Sequence, residues 1–423
     1  MFRISNFMRD LAHAEGHGRY PLKAGRAAPT GPVVIWNLIR RCNLTCKHCY
    51  SLSADHDYAG ELATPEVFGV MHDLKAFGVP VLILSGGEPL LRPDIFKIAD
   101  RARAMRFYVG LSSNGTLIDE PMADRVAAAG FDYVGISLDG IGATHDRFRR
   151  LDGAFDRSLA AVRHLHARGV KVGLRFTMTS MNAHDLAALL QLMQAEAVDK
   201  FYFSHLNYAG RGNIHRAKDA HFEATRKALD LLFETAWRDA REGLAREYVT
   251  GNNDADAVYL LQWVRRHLPQ WAGALEAHLV AWGGNASGVT VANIDNLGIV
   301  HPDTMWWHHS LGSVRERPFS AIWQDSGDAL MAGLKQRPRR VGGRCGGCAH
   351  FAICGGNTRV RAQQVTGDPW AEDPGCYLDD DEIGLQSAHE RVAVEPFAGS
   401  RRVAAAAGSA LRRATISIQK QGS

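Results

Sequence analysis

Residues 32–50 read Pro-Val-Val-Ile-Trp-Asn-Leu-Ile-Arg-Arg-Cys-Asn-Leu-Thr-Cys-Lys-His-Cys-Tyr. The stretch 33–38 is a short β-branched and aromatic run opened by a proline, which predicts a buried strand. Directly behind it stand three thiols, Cys42, Cys46 and Cys49. Similar apolar runs recur at 81–84, 108–111, 133–138, 172–176 and 201–206, with helix-length segments between them. Together they predict six βα units around a parallel sheet, whose strands are covered on both faces and so read as continuous apolar runs. Thr64-Pro65-Glu66 offers a helix N-cap followed by proline at the first helical position, and Arg92-Pro93-Asp94 opens the next helix in a similar way. The α/β fold expected is an open, partial (β/α)6 barrel of the TIM type rather than a doubly wound sheet.

The chain has 423 residues, 46% of them hydrophobic, more than one core usually organises, so a second, smaller domain is expected. Five segments emerge from the pattern: an N-terminal extension (1–31), the barrel (32–218), a helical connector (219–282), a small loop-rich domain held by metal (283–386) and a disordered Ala/Arg/Ser-rich tail (387–423). The connector is drawn from helical spacing of Ala228, Leu231, Leu232 and Trp237, then Val258, Leu261, Val264 and Leu268. A formal charge of +4, from 49 basic and 45 acidic residues without a long basic run, argues against nucleic acid as a partner. Arg3, Arg9, Asp10, Glu15 and their neighbours interrupt any apolar export segment, and no later run is long enough to span a bilayer, so a cytoplasmic protein is expected. In that reduced compartment an odd number of cysteines, seven, points to metal binding rather than disulfides.

Three thiolates on one tight loop can hold three irons of a cubane and leave the fourth open to a small molecule. A structural zinc ion would need a fourth ligand there, with His48 or His56 nearest in sequence. The other four cysteines, Cys345, Cys348, Cys354 and Cys376, lie in a Gly-rich context and suffice either for one fully ligated cluster or for a zinc knuckle. Later strand ends are polar: Ser85-Gly86-Gly87-Glu88, Ser112-Ser113-Asn114-Gly115, and Ser137-Leu138-Asp139-Gly140 with Arg149 beyond. Asn114-Gly115 and Asp139-Gly140 are also ordinary turn formers.

Cys42-x3-Cys46-x2-Cys49, with aromatic residues at 48 and 50, resembles the signature loop of the radical S-adenosylmethionine (SAM) superfamily, and the Gly-Gly-Glu after the second strand resembles that family's cofactor motif. The resemblance implies a [4Fe-4S] cluster on Cys42, Cys46 and Cys49, with SAM contacted by Tyr50, Gly86, Gly87, Glu88, Ser112, Asn114, Ser137 and Arg149. By the same resemblance the glycines admit carbonyl groups to the SAM ammonium, Glu88 adds an acceptor and Arg149 faces the cofactor carboxylate. The C-terminal cysteines resemble the SPASM and twitch extensions of these enzymes, which implies a second [4Fe-4S] cluster on Cys345, Cys348, Cys354 and Cys376. The chain departs from the full SPASM pattern, since 288–309 contains no cysteine.

Over about residues 1–385 the arrangement resembles the radical enzymes of heme d1 biosynthesis. That implies an anionic tetrapyrrole substrate, 12,18-didecarboxysiroheme, losing two propionate side chains, and an external electron donor of the flavodoxin or ferredoxin type. Trp306, Trp307, His308 and His309, and Tyr202, His205, Tyr208, Arg211 and His215, are residues suited to a flat, iron-bearing, carboxylated ligand. Competing readings are a heme-forming propionate decarboxylase, a peptide maturase, a pure electron carrier and, outside catalysis, a zinc-stabilised binding module.

Overall fold

Seven parallel strands succeed one another across the sheet in the same order as along the chain: β1 (Val33–Asn37), β2 (Val81–Ser85), β3 (Tyr108–Ser113), β4 (Tyr133–Ser137), β5 (Val172–Met178), β6 (Lys200–His205) and β7 (Glu247–Gly251). The computed structural model describes residues 1–21, 31–385 and 391–397; the tail expected at 387–423 lies outside them except for 391–397. A strand order without reversal excludes double winding: right-handed crossovers then place every helix on one face, and the other face is left to curl inward. The sheet stays open. On the far side of β1 it gains β8 (Val291–Ile294), parallel to β1, then β9 (Ile299–His301) and β10 (Gly312–Ser313) as an antiparallel ribbon.

Alternation along the strands assigns the two faces. Val34 and Trp36, Leu82 and Leu84, Val109 and Leu111, Val134 and Ile136 are at most 1% exposed. They form the core with Val67 and Met71 of the helix Thr64–Ala76, Ile98 of Ile95–Ala104 and Val126 of Glu120–Ala129. Each such side chain contributes about 1.5–3 kcal/mol by leaving water. The opposite face carries Asn37, Ser85, Ser112, Ser137, Arg175 and Tyr202, a polar lining that a purely structural sheet would not need.

Two local expectations shift. The helix at Thr64 is capped one residue earlier: the Ala63 amide donates to Glu66 Oε2 (2.7 Å), while the Thr64 hydroxyl donates to Asp94 (2.5 Å). Within 219–282, expected as a helical connector, the helices Phe222–Arg241, Ala255–His267 and Ala272–Trp282 are present, but Glu247–Gly251 between them is β7. The N-terminal helix Ile4–His17 buries Ile4, Met8 and Leu11 completely, and Phe2 pairs with Thr250 of β7.

Candidate metal centre and cofactor site

The loop after β1 is pinned from two sides. Gly87 donates its amide to Ile39 O (2.7 Å) and Glu88 donates to Arg41 O (2.9 Å), so the end of β2 fixes the approach to Cys42. Any Cβ at Gly86 or Gly87 would overlap the carbonyl oxygens of Ile39, Arg40 and Arg41, which makes glycine obligatory at both positions. From the other side Arg211, in the turn after β6, donates its amide to Cys49 O (2.8 Å), Nε to Cys46 O (2.7 Å) and Nη2 to Ser53 O (2.9 Å). Gly210 beside it has φ +53° and lies against the carbonyls of Cys49 and Tyr50.

Each sulfur on this loop has a hydrogen-bonding neighbour. Cys42 Sγ accepts from the Leu44 amide (3.4 Å) and from Asn114 Nδ2 (3.9 Å), Cys46 Sγ from Arg149 Nη1 (3.5 Å), and Cys49 Sγ lies 3.3 Å from the Ser51 hydroxyl. Burial pushes the thiols of Cys42 and Cys46 up, Arg149 partly offsetting it at Cys46, so neither sheds its proton without a bound cation. Buried thiols surrounded by donors fit a metal–sulfur centre: the donors stabilise charge on sulfur once metal has displaced the protons.

Around the loop the strand ends interlock. Glu88 is fully buried; Oε1 accepts from the Ser113 hydroxyl (2.9 Å) and the Leu90 amide (3.2 Å), and Oε2 from the Asn114 amide (2.8 Å). Burial raises its pKa to about 7 against these donors. Asn114 also donates to Asn43 Oδ1 (2.9 Å). Arg149 Nη2 forms an ion pair with Asp139 (2.5 Å), whose charge keeps the guanidinium protonated against the cost of burial; Arg149 Nε is buried without a partner. His48 stacks on Phe148 with ring centroids 4.7 Å apart, and burial lowers its pKa to about 4. Tyr50 accepts from Asn37 Nδ2 (2.8 Å) and meets Trp307 edge-on at 6.0 Å. Ser112 bonds Arg175 Nη1, and the Ser137 hydroxyl has no protein partner among the described residues.

Thus Tyr50, Gly86, Gly87, Glu88, Ser112, Asn114, Ser137 and Arg149 all stand at the C-terminal ends of β1–β4 or in the segments just beyond them, but all except Ser137 are already engaged within the protein. The two glycines accommodate the cysteine loop, Glu88 ties β2 to β3, and Arg149 balances Asp139. Sequence reasoning did not identify Asn37, Asp139 as partner of Arg149, or Arg175; the last is a charged residue on the polar face of β5, a placement visible once the strand's alternation is fixed.

The C-terminal cysteines, Cys345, Cys348, Cys354 and Cys376, line one pocket together with Arg344, Phe351, Asn357 and Leu378. Burial and then the charges of the other three push Cys354 well up. The His350 amide donates to Cys348 Sγ (3.3 Å). Among the described residues no three or more His, Cys, Asp or Glu side chains draw together tightly enough for a single ion. The pocket connects to the barrel through Tyr377, whose hydroxyl donates to Asp256 (3.0 Å), the residue that also holds His205 (3.0 Å).

Residues 36–193 match the family model described as the Radical SAM superfamily. The chain is 55% identical to the pre-heme d1 synthase of Dinoroseobacter shibae over 95% of this chain and 98% of that protein. The chain belongs to the radical SAM superfamily. It is also 42% identical to the Fe-coproporphyrin III synthase of Methanosarcina barkeri, covering 84% of this chain and 90% of that one. Among solved structures, SAM-bound SuiB of Streptococcus suis shares the fold with a TM-score of 0.65 at 15% identity, covering 88% of this chain and 81% of SuiB. As a radical SAM enzyme the chain uses SAM and a [4Fe-4S] cluster. Among the described residues no helix is long and apolar enough to cross a membrane.

The residues expected to suit a tetrapyrrole separate in this radical SAM fold. Trp306 is packed with Leu330, Leu334 and Val360, Tyr208 donates to Asp219 (3.0 Å), His205 is held by Asp256, and Arg211 cradles the cysteine loop. Trp307 faces Tyr50, with its Nε1 buried and unpartnered. Tyr202 lies under the Arg175 guanidinium, 5.4 Å from ring centroid to Cζ. His308 is exposed, 2.7 Å from Gln363, and His309 pairs with Asp328 at 2.9 Å.

Proposed function

We propose that this chain is the radical SAM enzyme of heme d1 biosynthesis that removes propionate side chains from 12,18-didecarboxysiroheme on the way to the oxo groups of heme d1, acting in the cytoplasm. The observation that carries this reading is the identity of 55% to a pre-heme d1 synthase along nearly the full length of both chains.

Cys42, Cys46 and Cys49 would hold the SAM-cleaving cluster. Bound there, cluster and SAM supply a 5′-deoxyadenosyl radical, chemistry no side chain can provide. The chain's own contribution is position and exclusion of water. Tyr50, Gly86, Gly87, Glu88, Ser112, Asn114, Ser137 and Arg149 bound the SAM site; the Ser137 hydroxyl and Arg149 Nε are the groups left for the ligand. Arg175 has no carboxylate partner among the described residues, and its guanidinium is held by Ser112 over Tyr202. A cation fixed in this way inside a barrel suits a propionate carboxylate of the substrate.

A second [4Fe-4S] cluster is assigned to Cys345, Cys348, Cys354 and Cys376. Support comes from their shared pocket, which all four cysteines line. Four cysteine ligands, one for each iron, suffice for a fully ligated cubane. The reducing electron comes from an external carrier of the flavodoxin or ferredoxin type.

The test is oxygen-free incubation of cluster-reconstituted protein with SAM, a reductant and 12,18-didecarboxysiroheme, products read by mass. Loss of propionate-derived mass with formation of 5′-deoxyadenosine is expected; 5′-deoxyadenosine with an unchanged tetrapyrrole would defeat the substrate assignment. The identity of 42% to an Fe-coproporphyrin III synthase favours one second reading, a related tetrapyrrole, which the same assay separates by substrate.

A further inference from the structure

The outer side of the first cysteine loop is bordered by cations that no ion pair among the described residues neutralises. Lys47 is next in sequence to Cys46, and its amide donates to Phe148 O (3.1 Å), which brings the loop against the end of the helix Ala143–Arg149. Arg147, in the last turn of that helix, and Arg150, just after it, are exposed. From the turn after β6 come Arg211, His215 and the exposed Lys218, whose amide donates to His215 O (2.8 Å). His215 lies among them: after burial, the nearby charges of Arg150, Lys47, Arg211 and Lys218 hold its pKa below the ordinary histidine value.

Among the described residues none of Lys47, Arg147, Arg150 or Lys218 forms an ion pair. Some surface arginines elsewhere are matched, as Arg163 with Glu196 (2.6 Å) or Arg168 with Asp124 (2.6 Å); here several unmatched cations stand around one loop. Uncompensated like charges in one place cost folding energy, so a patch of this kind calls for an external anion. It covers the loop of Cys42, Cys46 and Cys49 from outside, whereas Arg175 serves the barrel interior.

We propose that this patch is the docking surface for a small acidic one-electron carrier protein, which delivers its electron to the cluster on Cys42, Cys46 and Cys49. In that transfer the carrier is oxidised by one electron and the cluster reduced by one; no bond forms or breaks. The proposal rests on the assignment of the first cluster made above, and is independent of which tetrapyrrole is the substrate. Complementary charge sets encounter rate and orientation, so its signature is a salt-dependent association.

The test uses the reconstituted holoenzyme, the double variant Arg150→Asp with Lys218→Glu, and reduced flavodoxin as the probe. Asp is tolerated at the left-handed conformation of residue 150 (φ 59°). At low salt the double variant should bind flavodoxin about tenfold or more weakly by titration and slow flavodoxin-driven SAM cleavage comparably, with the difference closing near ~0.3 M salt. Iron content and dithionite-driven cleavage should match wild type. Unchanged flavodoxin binding would overturn the docking surface, as would equal losses with dithionite and flavodoxin. Absence of dithionite-driven cleavage in wild type would sink the cluster assignment and the docking surface with it; failure on the tetrapyrrole alone would leave both standing. Tighter binding of a nucleic acid than of flavodoxin to this patch would also overturn it.

Discussion

The guanidinium of Arg149 lies 2.5 Å from the carboxylate of Asp139 and 3.5 Å from the sulfur of Cys46, all three buried. A cation is thus shared between a fixed carboxylate and a cysteine of the first loop. Asp139→Asn leaves that cation without its counter-charge, a change that typically costs about 3–5 kcal/mol in buried pairs. We expect a lower denaturation midpoint and reduced iron loading, measured on the same preparation; an unaltered midpoint would mean the pair is expendable.

Ligand counting separates the two cysteine sets. Cys46→Ala should abolish formation of 5′-deoxyadenosine, while Cys348→Ala should retain uncoupled SAM cleavage and lose tetrapyrrole turnover. Chromatography of the nucleoside products distinguishes them, and equal loss in both variants would mean that the sites are not separable.

Gly87 has room for hydrogen only, because the carbonyls of Arg40 and Arg41 fill the space of a Cβ. Gly87→Ala should displace the cysteine loop and cut iron content more than it cuts stability, since the core beneath β2 is untouched. Iron analysis beside a thermal melt checks this, with full iron loading as the contrary result.

Arg175→Met removes a cation of the sheet's polar face that has no carboxylate partner among the described residues, while keeping most of its apolar stem. Loss of a charge-assisted hydrogen bond is worth about 1.5–3 kcal/mol, or roughly 10- to 150-fold in affinity. Optical titration should show the tetrapyrrole binding weaker by that factor with SAM cleavage retained. Unchanged binding would remove Arg175 from the substrate site.

His145 accepts the Asp139 amide on Nδ1 (2.9 Å), and burial, then Arg149, lowers its pKa to about 4. The unfolded chain, near ~6.5, takes up the proton first, so stability falls as pH drops from about 6.5 towards 4 and is unaffected by this group above about pH 7. Between about pH 7 and 5 the loss from this residue is about 2 kcal/mol. His145→Asn, which keeps an acceptor, should flatten that part of the stability profile in denaturant titrations; an identical acid slope would show that another group titrates.

Much of the barrel was legible because β1–β6 are apolar runs bounded by turn formers. The strand β7 was hidden: Glu-Tyr-Val-Thr-Gly at 247–251 carries little apolar signal, and Glu247 is held in place by Lys171 and Lys200 (3.2 Å each) across the barrel floor. Adjacent residues defeated pattern reading in the same way, since Trp306 went to the core and Trp307 to Tyr50, a division no periodicity announces. The cysteines declared themselves by spacing. Their surroundings did not, because Asp139, Arg175 and Arg211 reach the first site from β4, β5 and the turn after β6, up to 165 residues from their partners.

The register of Val33–Trp36 with Val291–Ile294 sets a limit on dissection of this enzyme. A chain cut before residue 291 would end its barrel on a bare β1, apolar and without a neighbour to take its amides and carbonyls, the kind of rim along which strands from separate molecules zip together. The catalytic half therefore cannot be had as a soluble fragment by deleting the remainder of the chain: the segment that carries the second set of cysteines doubles as the barrel's selvedge.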